Sequence, residues 1–498
     1  MCGIFGVFGK SGFSVEQHLK LLDHRGPDHN EAVAIKQTIL GHTRLSIVDV
    51  DGGDQPLHST DSRYHLISNG EIYNHEDIRQ QLADYPFQTD SDSEAILAAY
   101  EHYGPDAIYH LDGMFAFALY DQQENTIFLA RDPIGIKPLY YGWQGDTLYF
   151  ASEIKSLHDL VDELHEFPPG HYYYQGEFVR YYDLHQLPTH SDAVTAPSIA
   201  DIRQSLTEAV HKRLMSDVPL GVYLSGGLDS TIVASIVAQV KPDVHSFAVG
   251  IEGSQDIENA RQAAKTLATQ HHEYIYTADE IREALPNVIY YLESFDPSLV
   301  RSAIPNYFLA RMTRQHVVVV LTGEGADELY AGYHYLKEVD EDHLGDELVE
   351  LIATLYNCNL QRCDRMTMAH SIEARVPFLD TDFIKLSLQV SKAYKIHPQT
   401  QVEKWALREA FADILPENVT WRKKEQFSHG AGSNHLLVDM AEAQYSDTDY
   451  LIKKGAIYHQ TGIDITSKEM LMYYDIFDGF FSDKAKSLVK LWRGHDVA

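Results

Sequence analysis

Between Leu220 and Leu321 short apolar runs alternate with helical stretches, and few folds accommodate that rhythm. Leu220–Leu224, His245–Val249, His272–Tyr276 and Val317–Leu321 have the length and the β-branched or aromatic content of buried strands. Helical patterns flank and separate them, among them Ser198–Met215 and Leu228–Val240. Strands alternating with helices predict a parallel sheet covered by helices. From about Asp346 onward the chain reads as mostly helical. The acidic run Glu338–Glu350 reads as solvated surface.

The first part of the chain has a different rhythm. Ile4–Phe8, His65–Ser68, Met114–Tyr120, Thr126–Ala130, Leu139–Gly142 and Thr147–Ala151 are predicted strands. Ser14-Val15-Glu16-Gln17 reads as a capping box before a helix at His18–Leu22. Asn74 precedes a second helical pattern at His75–Leu82, and Asp92–Tyr103 is a third. The polar stretch Gln186–Pro197, with two prolines, reads as a linker. The expected architecture is therefore α/β in two domains, 2–186 and 198–498, with a parallel sheet and a helical C-terminal part in the second.

Composition narrows the function classes. Lys plus Arg total 40 against 73 Asp plus Glu, a formal charge of −33 over 498 residues. Nucleic-acid and anionic membrane surfaces need local Lys and Arg to neutralise phosphate, and no such patch is visible. The longest strongly aliphatic run, Val317–Leu321, is far short of the roughly 20 apolar residues of a spanning helix. Three cysteines are too few for a disulfide framework, and the N-terminus lacks a basic, signal-like region. A reducing, cytoplasmic setting is expected. Cys358 and Cys363 read as ordinary buried cysteines.

Cys2 follows the initiator Met1, and cysteine is small enough for that Met to be trimmed. Removal leaves a thiol and a free α-amine on one residue. A thiol attacks as thiolate, and an α-amine with an ordinary pKa of about 7.7–8.0 can act as a base near neutrality. Further along stand His24-Arg25-Gly26-Pro27-Asp28, His42-Thr43-Arg44-Leu45-Ser46-Ile47-Val48-Asp49, Asn69-Gly70-Glu71-Ile72-Tyr73-Asn74, Ser91-Asp92-Ser93-Glu94 and Ala130-Arg131-Asp132-Pro133-Ile134-Gly135-Ile136-Lys137-Pro138. In this order they closely resemble the glutaminase domain of class II, N-terminal-nucleophile, amidotransferases, over residues 2 to about 185. The resemblance implies an αββα sandwich of the N-terminal-nucleophile hydrolase type. The residue chemistry agrees. Hydrolysis of an amide through a thioester needs an oxyanion hole, which the Asn69 side chain and the Gly70 backbone can supply. Glutamine's α-carboxylate suits the Arg44 fork, and its α-ammonium suits Glu71 and Asp92. The family pattern adds Ile47 and Val48 to the glutamine site and makes the Arg25–Asp28 turn a support of the pocket.

In the second half, Leu224-Ser225-Gly226-Gly227-Leu228-Asp229-Ser230 joins an apolar strand to a helix. Glycines, successive N–H groups and hydroxyls in that setting attract phosphate. The loop looks like the pyrophosphate loop of adenylating enzymes; a Walker loop would end in Gly-Lys-Ser/Thr. Thr322-Gly323-Glu324-Gly325-Ala326-Asp327-Glu328 follows the Val317–Leu321 strand, where α/β domains place ligands. Asp229 and Asp327 suit Mg²⁺. With Asp364-Arg365-Met366, Ser371–Asp380 and the Trp421–Phe427 segment, this half is similar to the synthetase domain of glutamine-hydrolysing asparagine synthetases, from about 198 to 430. The resemblance implies that Leu224 and Val249 line the adenine pocket and that Thr322 and Gly323 contact the nucleotide. It also implies that Glu324 faces the acyl-adenylate, that Lys424 stabilises phosphate charge and that Arg301 binds the acceptor. Ser298-Leu299 replaces the pair of threonines many of these enzymes carry near the acceptor site.

Together the halves imply ATP-dependent amidation of aspartate with nitrogen from glutamine, ATP as substrate and Mg²⁺ as cofactor. A different acceptor acid is the alternative that Ser298-Leu299 raises, and a catalytically silent binding protein is the alternative from another class. Oligomeric state is not readable from the residues; relatives in the family are often homodimers.

Overall fold

The computed structural model describes residues 2–10, 12–190, 196–422 and 434–491. Two six-stranded antiparallel sheets hold the strands up to Arg180. The first runs Glu163–Glu166, Tyr140–Gln144, Thr147–Ala151, Gly3–Phe8, Thr38–Arg44, His29–Ile35. The second runs Glu177–Arg180, His171–Tyr174, Thr126–Arg131, Gly113–Asp121, Tyr64–Ile72, Leu57–His58. Side-chain alternation builds the layers. Along Gly113–Asp121, Ala116, Ala118 and Tyr120 meet Ile4, Leu40 and Phe150 of the other sheet. Phe115, Phe117 and Leu119 point away and pack on helices His75–Gln81 and Glu94–Tyr103. On the far face of the first sheet, Phe5 and Val7 pack with Leu19 of the short helix Glu16–Lys20. The result is helix, sheet, sheet, helix. The small Ala116 and Ala118 let the sheets approach, and each fully buried phenylalanine contributes about 1.5–3 kcal/mol.

The second half holds a five-stranded, wholly parallel sheet ordered Gln270–Ile275, His245–Gly250, Leu220–Tyr223, Val319–Leu321, Glu373–Arg375. The chain enters at the centre, winds outward to one edge, then returns to fill the other side. Strand order reverses between Leu220–Tyr223 and Val319–Leu321, and a crevice opens beyond the carboxyl ends of strands at such a reversal. Helix Ile199–Lys212 leads into the sheet, starting from a true capping box: Asp201 N–H donates to Ser198 Oγ at 3.2 Å, and Ser198 N–H donates to the Asp201 carboxylate at 2.8 Å. Ser198→Ala is expected to cost about 1 kcal/mol, read as a lower midpoint in urea with an unchanged m-value. An unchanged midpoint would show that packing alone holds this helix end.

Several sequence expectations are corrected. Ser14 does not cap a helix: Val15 is the N-cap residue, without a side-chain cap bond, and the Ser14 hydroxyl turns to the Glu16 carboxylate. Asn74 precedes its helix but gives its side chain to the His110 carbonyl and the Asp112 N–H. Strands His29–Ile35, Thr38–Arg44 and Glu373–Arg375 were not anticipated. The acidic run became part of helix Glu341–Ala353, its acids mostly exposed and Leu344 and Leu348 buried beneath them. Cys363 is buried and Cys358 half-buried, both free, and burial pushes both thiols up to about 12. No helix of the described residues is long and apolar enough to cross a membrane.

Candidate functional site

Two clusters of functional side chains lie in the molecule, one in each half. The first forms where strand Gly3–Phe8 begins. Cys2 is buried, and its N–H donates to Asn69 Oδ1 at 3.0 Å, while its carbonyl accepts from Arg25 Nε at 2.9 Å. Burial pushes the thiol up; the Leu45 backbone and the Arg44 guanidinium work the other way. Asn69 lies in strand Tyr64–Ile72, fully buried, and its Nδ2 has no hydrogen-bond partner among the described residues. An unpaired buried amide donor costs about 1–3 kcal/mol, so this amide is held ready for an acceptor. A Cβ on Gly70 would stand 2.1 Å from the Met114 carbonyl, so only glycine fits there.

Glu71 is buried, its Oε2 lacking a hydrogen bond among the described residues and standing 3.5 Å from Arg375 of the parallel sheet. Burial, with Glu373 and Asp92 beside it, pushes its carboxyl well above the ordinary range. Asp92 accepts from the Ile72 N–H at 2.7 Å, and burial raises its carboxyl too. Arg44 departs from expectation. Its fork is not open: it donates to the carbonyls of Val48, Asp49 and Val50 at 3.3, 2.5 and 3.0 Å and to Asp54 at 2.8 Å. Arg44 thereby shapes the loop that carries Ile47 and Val48. The Ile47 carbonyl in turn accepts from the Asp217 N–H at 2.9 Å, which ties that loop to the second half.

Behind Cys2 lies a buried ionic cluster that joins the halves. Arg25 donates to Glu153 at 2.7 Å and to both oxygens of Asp364 at 2.8 and 3.2 Å. Arg365 donates to Glu293 at 2.9 Å, and Glu293 accepts from the backbone of Ile154 and Lys155 at 3.0 and 2.8 Å. Despite burial, the surrounding cations hold the Glu153 carboxyl well below its ordinary range.

The second cluster lines a cavity of about 790 Å³ at the reversal point of the parallel sheet. Leu224, Ser225, Gly227, Asp229, Ser230, Val249, Thr322, Gly323, Glu324 and Asp327 all line it. Gly226 does not, but it makes the turn possible: its φ is +70°, and a Cβ there would stand 2.4 Å from the Asn259 backbone. The Ser225 and Ser230 hydroxyls lie 3.1 Å apart at the start of helix Leu228–Val240. Glu324 pairs with Arg362, whose Nε has no hydrogen-bond partner among the described residues.

The residue at the centre of this cluster stands out in the sequence only as a cation within Glu403-Lys404-Trp405, with no role attached. Lys404 is buried and reaches Asp229 and Asp327 at 2.5 Å each, 175 residues from the first of them. Burial works against its charge and the two carboxylates outweigh burial, so its ammonium is held above the ordinary lysine range. The same geometry tests the fit of a divalent ion. Two carboxylate oxygens that converge on one ammonium can converge on one hard cation, so the donor set suits Mg²⁺.

Arg301 also departs from expectation. It pairs with Glu469 through both nitrogens of its fork and is not among the residues lining the cavity. Helical phase explains this. In helix Pro297–Thr313, Ser298, Ser302, Asn306 and Leu309 share the face turned to the cavity, and Arg301 falls off that face. Lys424 lies outside the described residues.

The Asn69 amide carries a direct test of the first cluster. Asn69→Ala is expected to lower, about 10²–10³-fold, the kcat of an amide hydrolysis whose oxyanion forms beside Asn69 Nδ2, with KM little changed. A wild-type kcat would remove Asn69 from the reaction.

The glutamine amidotransferase domain profile matches residues 1–177, and the asparagine synthase profile matches residues 201–343 and 337–493. The chain belongs to the asparagine synthase family. A probable glutamine-hydrolysing asparagine synthetase of Schizosaccharomyces pombe is 40% identical, over 99% of this chain and 96% of its own length. Asparagine synthetase B of Escherichia coli K12, also glutamine-hydrolysing, is 39% identical over 97% of this chain and 91% of its own. Within the asparagine synthase family the two clusters thus fall one in each matched segment.

Proposed function

We propose that the chain catalyses ATP-dependent synthesis of asparagine from aspartate, with glutamine as nitrogen donor, dividing the work between 2–186 and 198–498. The observation that carries this reading is the presence, in one chain, of a buried cysteine beside an unsatisfied amide donor and of a phosphate-type loop beside paired carboxylates. In the first site the free α-amine of Cys2 takes the thiol proton, and the thiolate attacks the side-chain amide of glutamine. The developing oxyanion is met by Asn69 Nδ2 and the Gly70 backbone, the α-ammonium returns its proton to the amide nitrogen as the C–N bond breaks, and ammonia leaves. Water then hydrolyses the thioester to glutamate. Glu71 and Asp92 receive glutamine's α-ammonium. Their raised carboxyls fit that role, since an incoming cation supplies the charge that favours their ionised form. Arg44 contributes its charge toward the α-carboxylate through the loop it organises, which carries Ile47 and Val48.

In the second site Ser225, Gly226, Gly227 and Ser230 cradle the pyrophosphate portion of ATP. Leu224 and Val249 border the base, and Thr322 and Gly323 contact the nucleotide. Asp229 and Asp327 would hold Mg²⁺, which when bound neutralises phosphate charge. The aspartate side-chain carboxylate attacks the α-phosphorus, pyrophosphate leaves, and ammonia displaces AMP from the acyl-adenylate. Glu324 faces that acyl group, and Lys424 stabilises phosphate charge. The acceptor is held by the Ser298, Ser302 and Asn306 face, and Arg301 joins it on leaving Glu469. We further propose a cytoplasmic homodimer as the working form.

Product analysis tests the reading. Aspartate, glutamine and Mg-ATP should yield asparagine, glutamate, AMP and pyrophosphate in equal amounts. Formation of ADP and phosphate, or ATP cleavage independent of aspartate, would overturn it. A second reading keeps both half-reactions and changes the acceptor acid. The presence of Ser298 and Leu299 in the cavity wall favours its inclusion. Pyrophosphate exchange with a panel of carboxylic acids separates the two.

A further inference from the structure

A third polar cluster lies toward the amino ends of the parallel strands. His245 opens strand His245–Gly250, and His272 lies in the adjacent strand Gln270–Ile275. The register pairs His272 with Phe247, so His245 and His272 are diagonal neighbours on one face. His316 joins them from the connection between helix Pro297–Thr313 and strand Val319–Leu321. His245 Nδ1 and His272 Nε2 stand 2.9 Å apart, and the rings of His272 and His316 stack at 3.8 Å. One ring nitrogen from each of the three residues lies within 4.8 Å of the others. His271 turns the other way, toward Ser246 and Glu273, as strand alternation requires.

We propose that His245, His272 and His316 bind one divalent late transition-metal ion of the Zn²⁺ class. Three imidazoles are a recurrent Zn²⁺ donor set that leaves a fourth position for water. Imidazole must be neutral to ligate, which is the ordinary form of histidine above about pH 7. Tetrahedral coordination with metal–nitrogen bonds of about 2.0–2.1 Å puts ligand nitrogens roughly 3.3 Å apart, so the widest pair must close. His316 is exposed, so its side chain has room to rotate toward the other two. The site differs in kind from the carboxylates of the cavity. Mg²⁺ takes oxygen donors, whereas imidazole selects zinc, nickel, copper and cobalt. Phe247 stacks on His272 and also lines the cavity, so the ion would rest on the outer side of a cavity wall.

That difference provides the experiment. Full-length untagged protein, stripped with chelator and kept in excess Mg²⁺, is titrated with Co²⁺ and then Zn²⁺. One equivalent of Co²⁺ with tetrahedral visible absorption is expected, displaced by Zn²⁺ and accompanied by a rise in Tm. His316→Ala and His272→Ala should each lose the equivalent and the Tm rise. The exposed His316 allows its variant to fold with wild-type metal-free Tm, so that variant decides if His272→Ala fails to fold. Cys2→Ala should keep the equivalent. No saturable equivalent in wild type, one that survives His316→Ala, or one lost in Cys2→Ala overturns the proposal.

Discussion

Cys2→Ala should abolish glutamine-dependent asparagine formation, by at least about 10⁴-fold as for loss of other catalytic nucleophiles, and leave ammonia-dependent formation near wild type. The structure explains why the two activities separate. Cys2 holds the ionic cluster through its backbone, not its side chain: its N–H goes to Asn69 and its carbonyl to Arg25. Alanine keeps both bonds and removes only the sulfur. The contacts of Arg25 with Glu153 and Asp364 therefore persist, and with them the packing of one half on the other. Parallel assays with glutamine and with ammonium as nitrogen source check this. Loss of both activities in a folded variant would contradict two separate sites; retention of glutamine-dependent synthesis would remove Cys2 from the chemistry. Asp364→Ala offers a contrast. It leaves the fully buried Arg25 short of a partner at the junction of the halves, a change that costs about 3–5 kcal/mol in buried pairs.

The parts of this molecule legible in the sequence are those whose chemistry is written in contiguous residues. Leu224–Ser230 announces strand, turn and helix within seven positions, and the structure places that loop on the cavity. Asn69-Gly70-Glu71 likewise needed no partner to be noticed. Strand Glu373–Arg375 was missed because three residues cannot display an alternating pattern. Its pairing with Val319–Leu321 is a tertiary fact. The spacing of Ser14 to Gln17 fits a capping box, while the backbone makes Val15 the N-cap and begins the helix at Glu16. The expectations place the Arg44 fork on glutamine's carboxylate and Arg301 at the acceptor. Sequence identifies a guanidinium but not the carbonyls of Val48–Val50, or the Glu469 carboxylate 168 residues away, that already occupy it. Lys404 shows the limit most clearly. Nothing local marks it, since its distinguishing features are a left-handed backbone with φ of 57° and two partners far off in the chain.

Lys404→Met should lower kcat/KM for synthesis, with either nitrogen source, and pyrophosphate exchange by about 10²–10³-fold, comparable to the loss of a preorganised electrostatic group. Glutaminase activity should stay intact. Methionine matches the length of the aliphatic stem but deletes the ammonium that pairs with both Asp229 and Asp327. Without it the two carboxylates repel more strongly across a partly buried gap, which favours one of them turning away or taking up a proton. Either response removes the convergence on which both phosphate charge neutralisation and Mg²⁺ binding depend. Lys404→Arg should recover little, because a planar fork cannot take the point position of an ammonium between two oxygens. Raising Mg²⁺ distinguishes two roles. If the ammonium chiefly holds the carboxylates together, excess Mg²⁺ restores part of the exchange rate in Lys404→Met by supplying the missing charge. If the ammonium itself faces the phosphates, Mg²⁺ leaves the deficit unchanged. Wild-type exchange in the methionine variant would show that the carboxylates keep their geometry without it, and Lys404 would then be a structural cation only.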